Sequence, residues 1–184
     1  AYSLGNGRGK QRASRTAAAR QVARWRCSVL SSGERTIETT MREGGHRIKA
    51  GQAVRLLDVP AHRTHGAWDD LHGHTSGAAF SDALRAACAA HHGHAGPAFV
   101  QAITHGRKTD IAQVLETMKA HALFSASDGQ EKRAAARFAL LASAGELATS
   151  YGITGWQEGE ATIAAARCFA AWKAQRGPVG GSLE

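Results

Sequence analysis

An α+β fold, mostly α, is predicted: two strands with one helix, then a run of five helices. Three observations predict it. From Ser76 to Arg176 apolar residues recur with the period of a helix. Only two short stretches, Trp25–Ser32 and Ala53–Pro60, read as strands. Alanine is abundant while aromatics are 6% of the residues, a composition that suits closely packed helices because alanine is the best helix former. With 184 residues, 43% of them apolar, the chain suffices for one ordinary domain or two small ones.

The elements follow in order. Ala1-Tyr2-Ser3-Leu4 reads as a last helical turn stopped by Gly5 and Asn6. Residues 8–22 are polar and small with no apolar face, which suits an exposed hairpin or loop; a solvated, disordered arm is the competing reading. Arg24 to Ser31 alternates charged and apolar and then becomes continuously apolar, as a buried strand entering a sheet does. Glu34–Glu43 reads as a short helix with Ile37 and Met41 one turn apart, ended by Gly44-Gly45. Ala53–Pro60 is the second strand, closed by its proline. A loop rich in His and Gly, with Trp68, covers 61–73.

The helical series then begins. Ser76 to about His92 carries Phe80, Leu84, Ala87 and Cys88 on one face. Gly96-Pro97 restarts a helix with Phe99, Val100 and Ile103. Asp110–Phe124 turns Ile111, Val114, Leu115 and Met118 inward. After a turn at Ser125–Gly129, Glu131–Tyr151 puts Phe138, Leu141, Gly145 and Ala148 on one stripe, with Leu140, Leu147 and Tyr151 beside it. A turn with Trp156 precedes Glu158–Arg176, which carries Ile163, Phe169 and Trp172. Four segments are expected: 1–60, 61–75 as a loop, 76–176 as the helical region, and 177–184 as a linker or appended tail. Both ends read as cut from a longer chain.

Charge is the sharpest functional signal. The first 35 residues hold eight basic groups (Arg8, Lys10, Arg12, Arg15, Arg20, Arg24, Arg26, Arg35) against Glu34 alone, so they supply +7 of the formal +8. Positive charge packed into one short segment is the footprint of a part that meets phosphates. The three cysteines, Cys27, Cys88 and Cys168, lie far apart without a CxxC and read as reduced, buried thiols of a cytoplasmic protein. No apolar run approaches the 18 or so residues of a membrane span.

Several chemistries fail on spacing. Gly9-Lys10 is no phosphate-binding loop, since the pattern needs a glycine at Leu4 and a hydroxyl at Gln11. Gly5, Gly7 and Gly9 form no dinucleotide fingerprint; they suit a hairpin whose backbone approaches a phosphate chain. His72-x-His74 and His91-His92-x-His94, with Asp69 and Asp70 near the first, invite a metal reading, but HExxH and Cys/His pairings are missing. His91 and His92 suit a helix C-terminus instead. Ser32-Gly33 lacks a nucleophile elbow. Arg55 stands among the apolar Val54, Leu56 and Leu57; it either points from the sheet toward another subunit's nucleotide or pairs with Asp58 or another local acid.

Leu4-Gly-Asn-Gly-Arg-Gly-Lys-Gln-Arg-Ala-Ser-Arg15, followed by Trp25-Arg-Cys-Ser-Val-Leu-Ser-Ser-Gly-Glu34, resembles a family of mobile-element and prophage replicative helicases, the domain of unknown function 927. That family is of AAA+ type, related to the minichromosome-maintenance helicases. The resemblance continues through Ile48–Pro60, Leu71-His-Gly73, Ser76–Phe80, Gly96–Phe99, Arg137–Leu141, Ala144–Ala148 and Gly155–Glu160, nearly the whole chain. It implies a partial AAA+ core followed by a helical C-terminal region. Residues 7–23 would be the pore-facing pre-sensor hairpin, with Arg8, Lys10, Arg12, Arg15 and Arg20 on DNA phosphates. Trp25–Ser32 would be the sensor 1 strand, with Ser31 or Ser32 at the γ-phosphate or attacking water. Arg55 resembles the arginine finger that acts on a neighbouring subunit's ATP in a ring-shaped homo-oligomer.

Walker A and Walker B motifs are missing from this sequence, and the resemblance places them before Ala1. ATP and Mg2+ therefore belong to the complete protein, and this chain alone is expected to bind neither and to hydrolyse nothing. The expected partner is DNA, with no membrane. The alternative is a non-catalytic nucleic-acid-binding or assembly module. A small metalloenzyme built on the histidines is a third, weaker idea.

Overall fold

The computed structural model describes residues 6–9, 21–46, 54–105 and 110–176. The protein is mostly helical, with six α-helices among the described residues. These are α1 (Ile37–Glu43), α2 (Gly77–Ala90), α3 (Ala95–His105), α4 (Ile111–Lys119), α5 (Gly129–Ser150) and α6 (Glu160–Arg176). A 3-10 turn, Ala122–Phe124, links α4 to α5. The chain divides into two compact units, Ala1–Asp58 and Val59–Glu184.

Helix starts follow side-chain chemistry. Thr36, Ser76, Asp110 and Asp128 precede α1, α2, α4 and α5 and accept hydrogen bonds from first-turn amides that the helix itself leaves unpaired. Gly159 precedes α6 with φ +87° and has no side chain to do this. Glu146 of α5 takes that role: its carboxylate accepts from the amides of Gly159 (2.9 Å) and Thr162 (2.9 Å) and from the Thr162 hydroxyl (2.8 Å). Burial opposes ionisation of Glu146, but these three donors outweigh it and hold its pKa below the usual value.

The core of the second unit is the antiparallel pair α5/α6 with Phe124. Ala134, Ala135, Phe138, Ala139, Ala142 and Leu147 of α5 face Ala161, Ala165, Ala166, Phe169 and Trp172 of α6. Small residues let the two backbones come close, and a Cβ at Gly145 would overlap that of Ala161. Phe169, 2% exposed, sits within ring contact of Phe124, Phe138 and Trp172. The far end is held by charge: Arg176 bonds Asp128 at 2.9 Å and Lys173 approaches Glu131 at 3.2 Å. Acids at the start of α5 and bases at the end of α6 also suit the two helix dipoles. Glu131 is held ionised chiefly by the Ser127 amide, Asp128 by the Glu131 amide.

Before α2, loop residues fold back through single bridges Arg63↔Gly66 and His65↔Trp68. Trp68 packs edge-on against Phe80 at 5.0 Å and donates its indole N–H to Ser81. A Cβ at Gly77 would stand 2.7 Å from the His65 carbonyl oxygen, so glycine admits the loop. Helices α1 to α4 bury no residue fully.

Several expectations are corrected. Ala53–Pro60 is no strand where described: Val54–Leu56 form a turn and 57–60 have no regular structure. Val54 is buried, but the side chain of Arg55 ties this segment to Asn6, and no described strand pairs with it. Trp25–Ser32 is not a buried strand: the ladder stops at the Arg8↔Arg24 bridge before it, Val29 is half exposed and Leu30 fully so. A period-2 pattern marks a strand only where a neighbour supplies hydrogen bonds. The two-strand AAA+ core is therefore not seen among the described residues. Cys27 and Cys88 are exposed and Cys168 half-buried, so the thiols are not the buried set expected. Leu140, Leu141 and Ile163 lie on the outer faces of their helices, and Ile111 is exposed too. No helix among the described residues is long and apolar enough to cross a membrane.

Candidate nucleic-acid interface

In the first unit, two short segments of the basic region pair. The Gly9 amide donates to the Ala23 carbonyl and the Trp25 amide to the Gly7 carbonyl, both at 2.9 Å, around the antiparallel bridge Arg8↔Arg24. The segments thus run antiparallel, closing the chain between them at its base. Gly7 permits this closure twice over: its φ is +64°, and a Cβ there would collide with the Trp25 carbonyl oxygen. This arrangement sorts the side chains. Gly7, Gly9, Ala23 and Trp25 share one face, and the Trp25 ring lies against Gly9, 3.7 Å from where its Cβ would stand. Arg8 and Arg24 project from the other face, and both are exposed. An open depression of about 740 Å³ is lined by Arg8, Gln21, Val22, Ala23 and Arg24.

No family model, curated protein or solved structure matches this chain.

Of the five basic residues expected on phosphates, Arg8 is on this ribbon, while Lys10, Arg12, Arg15 and Arg20 lie outside the described residues. Arg24, not singled out from sequence as a phosphate ligand, is brought opposite Arg8. The one clue available was symmetric spacing around a glycine-rich hairpin, and it needs a register to become a pair. Arg26 is exposed two residues on. Arg35 is neutralised by Glu43 at 2.6 Å.

The residues expected to act on ATP are placed differently. Ser31 and Ser32 are exposed, beyond the bridge. Arg55 is half-buried, and its Nε and Nη2 donate to the Asn6 side-chain oxygen at 3.3 and 3.2 Å. Its expected local acid, Asp58, instead feels the Ile37 amide at the start of α1. Burial raises the Asp58 pKa, the Ile37 amide lowers it, and the charge of nearby Glu38 raises it, leaving it above the ordinary value.

Three of the clustered histidines make contacts close by in the chain. His72 and His74 each lie 5.3 Å from the Phe80 ring, and His92 Nδ1 meets the Ala89 carbonyl at the end of α2. Among the described residues no group of three His, Cys, Asp or Glu side chains could hold a metal ion.

Proposed function

We propose that this chain is the C-terminal portion of an ATP-dependent replicative DNA helicase of a mobile element or phage, of the domain of unknown function 927 kind. One observation carries the DNA-facing part. The basic segment is closed at its base as an antiparallel ribbon, with two arginines exposed on one face and Lys10, Arg12, Arg15 and Arg20 in the intervening chain. Such a ribbon neutralises backbone phosphates without reading bases. In this reading Ser31 or Ser32 senses the γ-phosphate. Arg55 serves the nucleotide of the next subunit in a homo-oligomeric ring. ATP and Mg2+ are held by Walker motifs of the complete protein, which works in the cytoplasm.

The second reading is a non-catalytic nucleic-acid-binding or assembly module. It uses the same ribbon, and the hydrogen bonds of Arg55 to Asn6 favour it by giving that guanidinium a role within its own unit.

Binding of a 20-nucleotide single strand, followed by fluorescence anisotropy across salt, tests the shared part. About four phosphate contacts on a single strand give a slope of log K against log salt of roughly −3. Binding indifferent to salt overturns it. Adding the chain to a Walker-bearing half separates the two readings: restored ATPase that Arg55→Ala abolishes supports the helicase, and ATPase unaffected by the chain supports the module.

A further inference from the structure

We infer that Arg8 and Arg24 form a two-guanidinium clamp that takes a single phosphate of a nucleic-acid backbone. The inference rests on the DNA-binding reading above and adds a residue and a stoichiometry to it.

The hydrogen-bond pattern carries the argument. The bonds flanking the bridge join Gly9 to Ala23 and Trp25 to Gly7, so Arg8 and Arg24 themselves exchange none. They form the non-hydrogen-bonded type of antiparallel pair, in which opposed side chains stand closest, with Cβ atoms about 4.5–5.5 Å apart. Like charges directly opposite each other destabilise a ribbon. Among the described residues no carboxylate pairs with either arginine, whereas Arg35, Arg42 and Arg63 each have one. The opposite face cannot relieve the crowding, because Trp25 covers Gly9 there.

The ribbon therefore holds two permanent cations side by side, on the wall of an open depression. A phosphodiester answers this geometry. It is a monoanion with two free oxygens, and each guanidinium can donate to one of them. An apolar partner would leave the repulsion in place. A carboxylate on a protein surface would relieve it equally well, but it would not produce the counterion-release signature of a nucleic acid.

The experiment is a double-mutant cycle on the full chain, with anisotropy of a labelled 20-nucleotide single strand read from about 50 to about 300 mM salt. Arg8→Gln and Arg24→Gln are each expected to weaken binding about tenfold. The double variant should be no more than about twofold weaker than the weaker single variant, and its salt slope should fall by about 0.7, the value for one phosphate on a single strand. Arg35→Gln, already paired with Glu43, should change nothing.

Additive losses, with the slope falling by about 1.4, mean two independent contacts and overturn the clamp while the DNA reading stands. Wild-type protein that fails to bind the strand overturns both. Inorganic phosphate that protects the Gly9 and Trp25 amides from exchange in an Arg24-dependent way, without strand binding, assigns the pair to free phosphate and overturns the backbone reading. Without DNA, the same two amides should exchange no faster in Arg24→Gln than in wild type, because the change removes a repulsion. Faster exchange would give Arg24 a structural role and overturn the clamp.

Discussion

The α5/α6 pair and the N-terminal ribbon solve opposite problems. In the helical pair nearly every strong group has found its partner: Glu146 caps α6, Asp128 and Glu131 meet Arg176 and Lys173, and Phe169 is enclosed by rings. In the first unit Val54 is the one fully buried residue among those described, and Arg8 and Arg24 face each other. One region is complete by its own contacts. The other displays Arg8 and Arg24 with no carboxylate partner among the described residues, and in the proposed reading a phosphate completes the pair. Stability measured on the first therefore says little about function, and binding measured on the second says little about stability.

Five substitutions break or sharpen this contrast. The largest is Phe169→Ala, which empties the centre of the ring cluster and should cost about 3–5 kcal/mol by urea unfolding followed by helical circular dichroism. A loss under about 1 kcal/mol would mean that the pair is not the stabilising core.

Next comes one substitution type placed in both regions. Gly145→Ala improves helix propensity by about 1 kcal/mol but forces a methyl onto Ala161, at about 1–3 kcal/mol, so a net loss near 1 kcal/mol is expected. Gly7→Ala must carry a positive φ and displace the Trp25 carbonyl, at about 1–3 kcal/mol. Its effect should appear as faster exchange of the Gly9 and Trp25 amides and weaker DNA binding. The amides of α5 should be untouched.

Glu146→Ala should cost about 1–2 kcal/mol at pH 7. Its sign with pH follows from a folded pKa below the unfolded value: the contribution is present at neutral pH and is lost as pH falls through the acidic carboxylate range. The wild type should therefore lose its advantage over the variant on acidification; a gap unchanged from pH 7 to 3 would remove the cap from the account.

The smallest effect belongs to Asp58→Asn. The Asp58 pKa is raised in the folded chain, so ionisation opposes folding, and the associated stability fades as pH rises through that folded value. Near pH 7 the variant should be neutral or more stable by under about 1 kcal/mol. Clear destabilisation there would show that the Ile37 amide outweighs burial.

Sequence legibility tracks the range of the interaction. Helix starts at Ser76 and Asp110 were readable because an N-cap and its amides lie within three residues. So was the helix at Ile37, through Met41 and Gly44-Gly45. The strand expected at Ala53–Pro60 failed because its pattern says nothing of a neighbouring strand. Instead Arg55 reaches Asn6, 49 residues away. For the same reason basic residues could be counted in the hairpin, but the register that sets Arg8 against Arg24 could not be read. Leu140 and Leu141 misled differently: α5 is apolar over much of its circumference, so periodicity did not choose the face that meets α6.

The carboxylate of Glu146 also has a kinetic meaning. The first turn of a helix is its costly nucleus, because several residues are ordered for few bonds. In α6 that turn begins after a bare glycine, and its amides wait for a group on the preceding helix. On this geometry α6 should nucleate against α5 rather than alone. Glu146 should accordingly act in the folding transition state, so Glu146→Ala should slow refolding more than it speeds unfolding.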